Sequence, residues 1–243
     1  MTITVVEAHA KLTLSLRITG LREDGYHLID AEMVTLSLHD RLRIDSAGGG
    51  ISVTGPYADG VPADTTNLVH RSLLLSGAEA GIHLEKNIPN GGGLGGGSAD
   101  AAAVLRWAGW TDAERAATIG ADVAFCLVGG RARVTGAGEQ VEPLPFEERS
   151  YTLIIPPLYC PTPAVYRAWD ELGGPQGGNG NDLEAAALAV VPDMEWWRDR
   201  IIDASGQSPR LAGSGSTWFL EGELPDLQAK MPAATVVVTH TVA

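Results

Sequence analysis

A run of glycines at residues 91–97 restricts how this chain can fold more than any other feature, since six of these seven residues are glycine. Without Cβ atoms the backbone can adopt positive φ angles and direct several N–H groups toward one point. Ser98 follows as the predicted N-cap of an alanine-rich helix that ends near Trp107. The N-terminus of such a helix adds about half a positive charge directed at the same point. The sequence therefore predicts an anion-binding loop that can lie close to a polyphosphate.

Three other interpretations compete for this loop. A flexible linker is disfavoured, because an alanine-rich helix with a capping residue follows at once. A dinucleotide-binding turn matches through Gly91, Gly93 and Gly96, but such a match carries little weight inside a glycine run, and the loop does not belong to a leading strand–helix–strand unit. A Walker-type loop is excluded, because no Gly-Lys-Ser/Thr follows.

Charge and hydropathy limit the possible partners. The chain has 243 residues, with 17 Lys and Arg against 30 Asp and Glu, and a net charge of −13. Nucleic-acid binders and membrane-surface proteins need cationic patches, so both classes are disfavoured. An anionic small molecule stays compatible, because backbone N–H groups can bind phosphate against the overall field. The sequence has no signal-peptide pattern and no membrane-spanning run, so we expect a soluble, cytoplasmic protein.

The order of predicted elements indicates the fold class. Alternating residues predict strands over 2–6, 11–19, 33–38 and 40–45, and helical patterns are mixed with further strands from residue 66 onward. Helices and strands do not strictly alternate, which favours an α+β architecture over a doubly wound parallel sheet. A proline-rich and charged stretch near residue 145 predicts two domains, 1–146 and 147–243. Cys126 and Cys160 lie in apolar stretches and are expected to be reduced and buried.

The glycine loop and the segments around it resemble a known family. Residues 89–102, Pro-Asn-Gly-Gly-Gly-Leu-Gly-Gly-Gly-Ser-Ala-Asp-Ala-Ala, are similar to the nucleotide loop of the GHMP kinases. Further segments match in the family's order, from residue 8 to about residue 220: residues 8–14, 24–27, 120–126, 161–163, 181–184 and 213–216. The resemblance implies a two-domain α+β GHMP kinase fold, with a ribosomal S5 domain 2-like N-terminal domain and a ferredoxin-like C-terminal domain.

This resemblance implies ATP and Mg²⁺ as cofactors of a kinase. Asn67 and Lys86 match positions near the adenosine, and the Ser98 hydroxyl is the candidate Mg²⁺ ligand. The residues expected to hold the ATP phosphates are Pro89, Asn90, Gly91, Gly92, Gly93, Leu94, Gly95, Gly96, Gly97, Ser98 and Ala99. The second glycine turn, Gly213–Ser216, is expected to close over the phosphates or over a substrate diphosphate.

Lys11 and Asp122 are the candidate catalytic residues. Asp122 follows Gly120-Ala121 and precedes an apolar run, so it can be either a base at the mouth of a buried site or a helix N-cap. Lys11 lies on the polar face of a predicted strand, together with Thr13, and can equally be a solvent-facing lysine. The resemblance pairs this lysine with the aspartate as the group that orients and deprotonates the attacking hydroxyl.

The substrate residues follow from the same resemblance. Tyr26 and Tyr166 would stack on the two faces of a cytosine ring, His27 would hydrogen-bond to its edge, and Thr13 would lie beside the substrate. On the sequence alone, ordinary packing of these aromatic residues is an equal alternative. The implied reaction is phosphoryl transfer to the 2-hydroxyl of a cytidine-diphosphate-linked methylerythritol, toward isoprenoid precursors. The alternatives are a GHMP kinase for another small alcohol, such as homoserine or mevalonate, and a catalytically weak nucleotide-binding relative.

Several positions depart from the motifs of that family. His9 and Ala124 replace prolines, Thr13 replaces an asparagine, and Asn90 replaces a methionine or small residue. The segment 107–119 is shorter than usual, and glycines replace a longer segment between residues 172 and 181. Thr13 matters most, because threonine keeps a hydroxyl but lacks the amide that helps to bind substrate.

Overall fold

A computed structural model describes residues 2–243 and arranges the strands in two sheets. The first sheet has six strands, ordered β3-β4-β2-β5-β6, with β1 also paired to β2. These strands are β1 (Ile3–Leu21), β2 (His27–Asp45), β3 (Ile51–Thr54), β4 (Gly81–Glu85), β5 (Arg131–Gly136) and β6 (Gln140–Pro143). All neighbours are antiparallel except β3 and β4, which are parallel.

The β1–β2 hairpin is longer than the sequence predicted. The expected breaks after residues 6 and 38 are wrong, because each strand continues over 19 residues. Register shifts occur between His9 and Lys11 and between Thr13 and Ser15. Such irregularities interrupt the alternation of side chains while the strand pairing continues, which is why the pattern resembled separate strands. Asp40, predicted as the first residue of a strand, is fully buried within β2.

Four helices follow the first hairpin along the chain. Of these four, α2 has the most extensive contact with β1. They are α1 (Leu68–Ser76), α2 (Gly96–Trp107), α3 (Ala113–Ala116) and α4 (Ala121–Val128). The alanines at 99, 101, 102 and 103 of α2 are almost completely buried. Small side chains allow the helix backbone to approach its neighbours closely, so the N-terminus of α2 is held firmly beside the glycine loop.

The second sheet has four antiparallel strands in the order β10-β7-β9-β8. Its elements are β7 (Ser150–Ile155), α5 (Thr162–Glu171), α6 (Glu184–Val190), α7 (Asp193–Ser205), β8 (Arg210–Leu211), β9 (Trp218–Glu221), α8 (Leu227–Lys230) and β10 (Thr235–His240). Helices thus lie between the first and second strands and between the third and fourth. With the spatial order 4-1-3-2, this is the ferredoxin-like arrangement that the resemblance implied.

Backbone hydrogen bonds join the two sheets to each other. The N–H of Val242 donates to Thr35 O at 3.0 Å, and the N–H of Leu16 donates to Gly180 O at 2.9 Å. Arg17 donates to the buried carboxylate of Asp182 at 2.6 Å. These contacts fix the C-terminal part of the chain against β1 and β2, the strands that carry the candidate catalytic lysine.

Two further expectations concern the cysteines and membrane segments. Cys126 and Cys160 are both free and buried, as predicted. Burial raises their thiol pKa values to about 12 and about 11, so neither is a reactive thiolate near neutral pH. Among residues 2–243, no helix combines the length and the apolar character that a bilayer crossing requires.

Candidate active site

A cleft of about 810 Å³ runs between the glycine loop, β1 and the start of α5. It brings together most of the residues that the sequence analysis selected. The cleft is lined by Lys11, Thr13, Tyr26, His27, Pro89, Asn90, Gly91, Gly92, Gly93, Leu94, Gly95, Gly96, Gly97, Ser98, Asp122 and Tyr166. Gly213 and Ser214 of the second glycine turn complete the wall.

The glycine loop is held on both sides. Leu94 O accepts a hydrogen bond from the N–H of Lys11 at 3.0 Å, and Gly92 O accepts one from the N–H of Thr217 at 3.3 Å. Gly93 has φ +76°, and a Cβ there would lie 2.4 Å from Ala212 O. Only glycine fits that position. The loop is therefore an ordered segment clamped between β1 and the second glycine turn, which does not agree with a flexible linker.

The helix after the loop begins earlier than predicted. Gly95 is the N-cap of α2, with φ 69°, so the assignment of Ser98 as N-cap is wrong. A glycine in the left-handed conformation starts the helix three residues sooner, and Ser98 lies in the first turn. No side chain of the described residues caps α2. Its first N–H groups therefore lie at the cleft with the positive end of the helix dipole, which favours a bound anion.

Lys11 and Asp122 form an ion pair in the cleft. The Lys11 Nζ lies 3.2 Å from Asp122 Oδ2 and donates a hydrogen bond to Thr13 Oγ1 at 3.1 Å. The lysine is nearly buried, whereas the Asp122 side chain is 34% exposed and can reach a ligand. Asp122 is the second residue of α4, and Gly120 is the N-cap, so the alternative N-cap role of Asp122 is wrong. The hydroxyl of Thr13 keeps the lysine oriented toward the carboxylate.

Two glycines leave room for the Lys11 side chain. A Cβ at Gly95 would lie 2.8 Å from Lys11 Cγ, and one at Gly213 would lie 3.7 Å from its Nζ. Asn181 holds the second turn in place, since its Nδ2 donates to Leu211 O at 2.9 Å and to Gly213 O at 2.7 Å. The 181–184 motif therefore acts through the second glycine turn, and both turns shape the space around the lysine.

Aromatic residues form the opposite part of the cleft. The His27 ring lies 4.9 Å from the Tyr166 ring at 33° and packs edge-on against Trp169 at 5.7 Å. His27 Nε2 lies 2.8 Å from Asp170 Oδ1. Burial, with a smaller contribution from Asp122, raises the pKa of Tyr166 to about 12. Tyr26 is 59% exposed. His27 thus covers part of Tyr166, while Tyr26 is exposed at the cleft with the Arg22 guanidinium carbon 5.3 Å from its ring centroid.

Lys86 does not reach the cleft, in contrast to the prediction that it lies near a nucleotide. Its side chain is 1% exposed, and its ammonium group donates to the carboxylates of Asp40 and Asp100. Burial lowers the pKa of Lys86, but the two carboxylates outweigh this effect and hold the pKa above its ordinary value. Burial also raises the pKa of Asp100 to about 7, with Lys86 opposing and Asp40 adding to the shift. The lysine is thus enclosed in a buried charge cluster.

Asn67 and Ala99 are also directed into the fold and do not line the cleft. Asn67 is the N-cap of α1: its Oδ1 accepts from the N–H of Val69 at 2.9 Å, and its Nδ2 donates to Pro62 O at 2.6 Å. Ala99 is buried, and its N–H closes the first turn of α2 on Gly95 O. The polar groups of Asn67 are thus bonded to Val69 and Pro62, and the N–H of Ala99 is bonded within α2.

The sequence analysis did not select two charged residues of the cleft, Arg167 and Asp170. Asp170 lies four residues after Tyr166 on α5, so helical spacing puts both on one face, and this signal could have found it. Asp170 fixes the His27 ring through its contact with Nε2. Arg167, the residue after Tyr166, places a cation at the cleft.

Comparisons with known proteins identify the class of the chain. A sequence model of the GHMP kinases N terminal domain matches residues 63–130, which include α1, the glycine loop and α2. The chain is also similar to a solved structure described as 4-(cytidine 5'-diphospho)-2C-methyl-D-erythritol kinase. That match has a TM-score of 0.78 and 31% identity, and it covers 99% of this chain and 100% of the other. The fold is therefore that of the GHMP kinase class.

Sequence relatives narrow the class to one family. A 4-diphosphocytidyl-2-C-methyl-D-erythritol kinase of Paracoccus denitrificans is 41% identical over 231 residues, covering 87% of this chain and 84% of the relative. One from Cereibacter sphaeroides is 37% identical over 241 residues, covering 87% of each chain. This chain belongs to the 4-diphosphocytidyl-2-C-methyl-D-erythritol kinase family. The predicted family resemblance and the predicted α+β GHMP kinase fold are thereby confirmed.

Proposed function

We propose that the chain transfers the γ-phosphoryl group of ATP to the 2-hydroxyl of 4-diphosphocytidyl-2-C-methyl-D-erythritol, a step toward isoprenoid precursors. One observation carries the proposal: the ion pair of Lys11 and Asp122, 3.2 Å apart, lies in a single cleft with the glycine loop. Membership of the family supports the choice of substrate. A base beside a lysine and an anion-binding loop can position an alcohol and stabilise the charge of the transferred group, which is what phosphoryl transfer mainly needs.

The ATP phosphates would be held by backbone groups more than by side chains. The cleft contains the carboxylates of Asp24, Asp122 and Asp170, against the cations of Lys11 and Arg167. Side-chain charge in the cleft therefore does not by itself attract a triphosphate. The N–H groups of the glycine loop and of the uncapped first turn of α2 can supply the attraction.

In the proposed reaction, the Asp122 carboxylate accepts the proton of the attacking hydroxyl. The hydroxyl oxygen forms a bond to the γ-phosphorus while the bond from that phosphorus to the β–γ bridging oxygen breaks, and ADP leaves. The Lys11 ammonium balances the negative charge that develops on the transferred group. The Thr13 hydroxyl accepts a hydrogen bond from the Lys11 ammonium and so fixes its position. Acid–base assistance of this kind is worth roughly 10²–10⁴-fold in rate.

Ser98 is the proposed Mg²⁺ ligand. Its side chain is half-buried, lies in the first turn of α2 and lines the cleft. Mg²⁺ prefers oxygen ligands and is usually held by one or two protein groups together with phosphates and water, which the Ser98 hydroxyl fits. When bound, the ion would neutralise phosphate charge. The carboxylate of Asp100 is enclosed with Lys86 and is not available for this role.

The proposal also includes a binding site for the cytosine base of the substrate. Tyr26 is exposed at the cleft and can stack on a base, with Tyr166 opposite. The contact of His27 Nε2 with Asp170 leaves Nδ1 for the edge of a pyrimidine. Stacking is worth about 1–3 kcal/mol per base in single-strand binders, which is enough to select a cytidylylated alcohol.

The boundary of the two domains near residue 147 is likewise a proposal, supported by the interval between β6, which ends at Pro143, and β7, which begins at Ser150.

The test is ADP release across a panel of alcohols: 4-diphosphocytidyl-2-C-methyl-D-erythritol, homoserine and mevalonate, with an alcohol-free control. We expect release only with the cytidylylated alcohol. Equal or faster release with homoserine or mevalonate would replace the substrate while keeping a GHMP kinase. ATP binding without ADP release for any alcohol would favour the weak nucleotide-binding relative. Asp122→Asn in parallel identifies release by a contaminating ATPase, because such release would persist.

A further inference from the structure

Three side chains on the β1–β2 hairpin lie together outside the cleft. Glu7 and His9 are two residues apart on β1 and so share one face of the sheet. His39 of β2 is paired directly with His9 across the antiparallel ladder. None of the three lines the catalytic cleft. They come together only because the hairpin pairs residues that are 30 positions apart in sequence.

The distances among their donor atoms suit a small metal ion. His9 Nε2 lies 3.4 Å from Glu7 Oε2, and His39 Nε2 lies 3.6 Å from Glu7 Oε1. The three donor atoms all fall within 4.8 Å of one another. Ligand atoms about 2.0–2.2 Å from a tetrahedral Zn²⁺ lie about 3.3–3.6 Å apart. The separations of 3.4 and 3.6 Å run to the two different oxygens of the Glu7 carboxylate, so each imidazole Nε2 already lies at ligand spacing from one Glu7 oxygen.

Both imidazoles are oriented as metal-binding histidines are. His9 Nδ1 lies 3.0 Å from Leu36 O, and His39 Nδ1 lies 2.8 Å from Ser37 O. A carbonyl oxygen can only accept, so each Nδ1 carries the hydrogen, and in the neutral ring the lone pair is on Nε2. A backbone carbonyl bound to the second ring nitrogen is the usual way a protein fixes the tautomer of a metal ligand.

We propose that Glu7, His9 and His39 form a binding site for a divalent transition metal ion, with Zn²⁺ as the chemistry that fits best. Two imidazoles and one carboxylate suit zinc, whereas the hard cations Ca²⁺ and Mg²⁺ prefer all-oxygen ligands. The side chains are between 28% and 55% exposed, so water can complete the coordination. His9 stands where the motif that the chain resembles has a proline, so that motif does not include this site.

The experiment is a Zn²⁺ titration of tag-free protein by competition with a chromogenic chelator, without nucleotide or Mg²⁺. We expect one ion per chain, and at least a tenfold loss of affinity in His39→Gln and in Glu7→Gln. The double variant His9→Gln/His39→Gln should lose the site. The matched control is His83→Gln, because His83 is another strand histidine whose two ring nitrogens face the hydroxyls of Ser52 and Thr54.

A second readout keeps the test independent of folding defects. Zn²⁺ should raise the melting temperature of the parent and of His83→Gln, but not that of the double variant, since only a ligand that binds the native state stabilises it. Circular dichroism without metal should give the same spectrum for all variants. No zinc binding by the folded parent, or equal affinity in the parent and the folded double variant, would overturn the proposal.

Discussion

Two lysine–aspartate clusters flank the same glycine loop, and they differ in what can reach them. Lys11 faces Asp122, whose side chain is 34% exposed in the cleft. Lys86 lies between Asp40 and Asp100, whose side chains are at most 3% exposed. A Cβ at Gly95 would touch Lys11, and one at Gly96 would lie 3.4 Å from the Asp40 carboxylate. The loop is thus held between one open cluster and one closed cluster.

The difference shows that the exposure of the carboxylate, more than the presence of a lysine, distinguishes a pair that can act on a ligand from a pair that stabilises the fold. In the proposed reaction, Asp122 would exchange its contact with Lys11 for a contact with a substrate hydroxyl. Asp40 and Asp100 are too buried to contact a ligand. They connect Lys86 to β2 and to α2. Removing a partner from a buried cluster leaves an unpaired buried charge, which is strongly destabilising. The same substitution should therefore affect activity at one lysine and stability at the other.

The largest expected effect is that of Lys11→Met on turnover. Loss of the ammonium beside the transferred phosphoryl group should lower kcat by roughly 10²–10⁴-fold. The melting temperature should change little, because Asp122 stays partly hydrated and Met fits a largely buried site. Steady-state kinetics and a thermal melt on the same preparation test this. A variant with kcat within a few-fold of the parent would remove Lys11 from the chemistry.

Lys86→Met is the matched substitution in the closed cluster. It leaves Asp40 and Asp100 buried without their cation, so we expect a loss of about 3–5 kcal/mol in the free energy of unfolding. Urea denaturation measures this, and the kcat of the molecules that remain folded should stay within a few-fold of the parent. Unchanged stability together with a lost ATP affinity would instead return Lys86 to the nucleotide site.

Tyr166 lines the same cleft as Lys11 and Asp122 and is proposed to bind the cytosine base. Tyr166→Ala should raise KM for the cytidylylated alcohol by tenfold to a hundredfold, corresponding to about 1–3 kcal/mol, and leave KM for ATP nearly unchanged. Tyr166→Phe keeps the ring and should resemble the parent. An early melt with equal losses for both substrates would mean that Tyr166 packs α5 and does not bind the base.

The smallest expected effect is on the pH dependence of stability. The Asp100 carboxyl has its pKa raised from 3.8 to about 7 in the folded protein, chiefly by burial. The folded state therefore holds this proton more tightly than the unfolded state, and the contribution, complete below about pH 4, is lost as the pH rises through 7. Relative to Asp100→Asn, which cannot ionise, the parent should lose more than about 1 kcal/mol of unfolding free energy between pH 5 and 8. Parallel pH profiles for the two proteins would contradict the closed cluster.

The sequence predicted the parts of the site that are defined by local pattern. The glycine loop, the helix after it, Lys11 and Asp122 all line or border the cleft, because each belongs to a short motif with its own geometry. Lys86 was misplaced since its partners are 46 and 14 residues away, and nothing next to it signals burial. Ser98 was misassigned because a glycine in the left-handed conformation can begin a helix without a capping side chain.

The fold shows the same division. The α+β class followed from the order of elements, whereas the length of the β1–β2 hairpin did not, because its register shifts interrupt the alternation that marks a strand. The Glu7–His9–His39 cluster also depends on cross-strand pairing, which the sequence pattern did not reveal. Long-range pairing decided the length of the hairpin, the enclosure of Lys86 and the Glu7–His9–His39 cluster, whereas the start of α2 was decided locally by Gly95.

The most direct test of the two-cluster account is single-turnover phosphoryl transfer at saturating ATP, Mg²⁺ and cytidylylated alcohol, in Asp122→Asn and Asp100→Asn side by side. Both changes replace the carboxyl group of a lysine partner with an amide and keep the side-chain shape. The account predicts at least a hundredfold slower transfer in Asp122→Asn, with ATP still bound, and a rate within a few-fold of the parent in Asp100→Asn. Normal transfer in Asp122→Asn, or an equal loss in both variants, would contradict it.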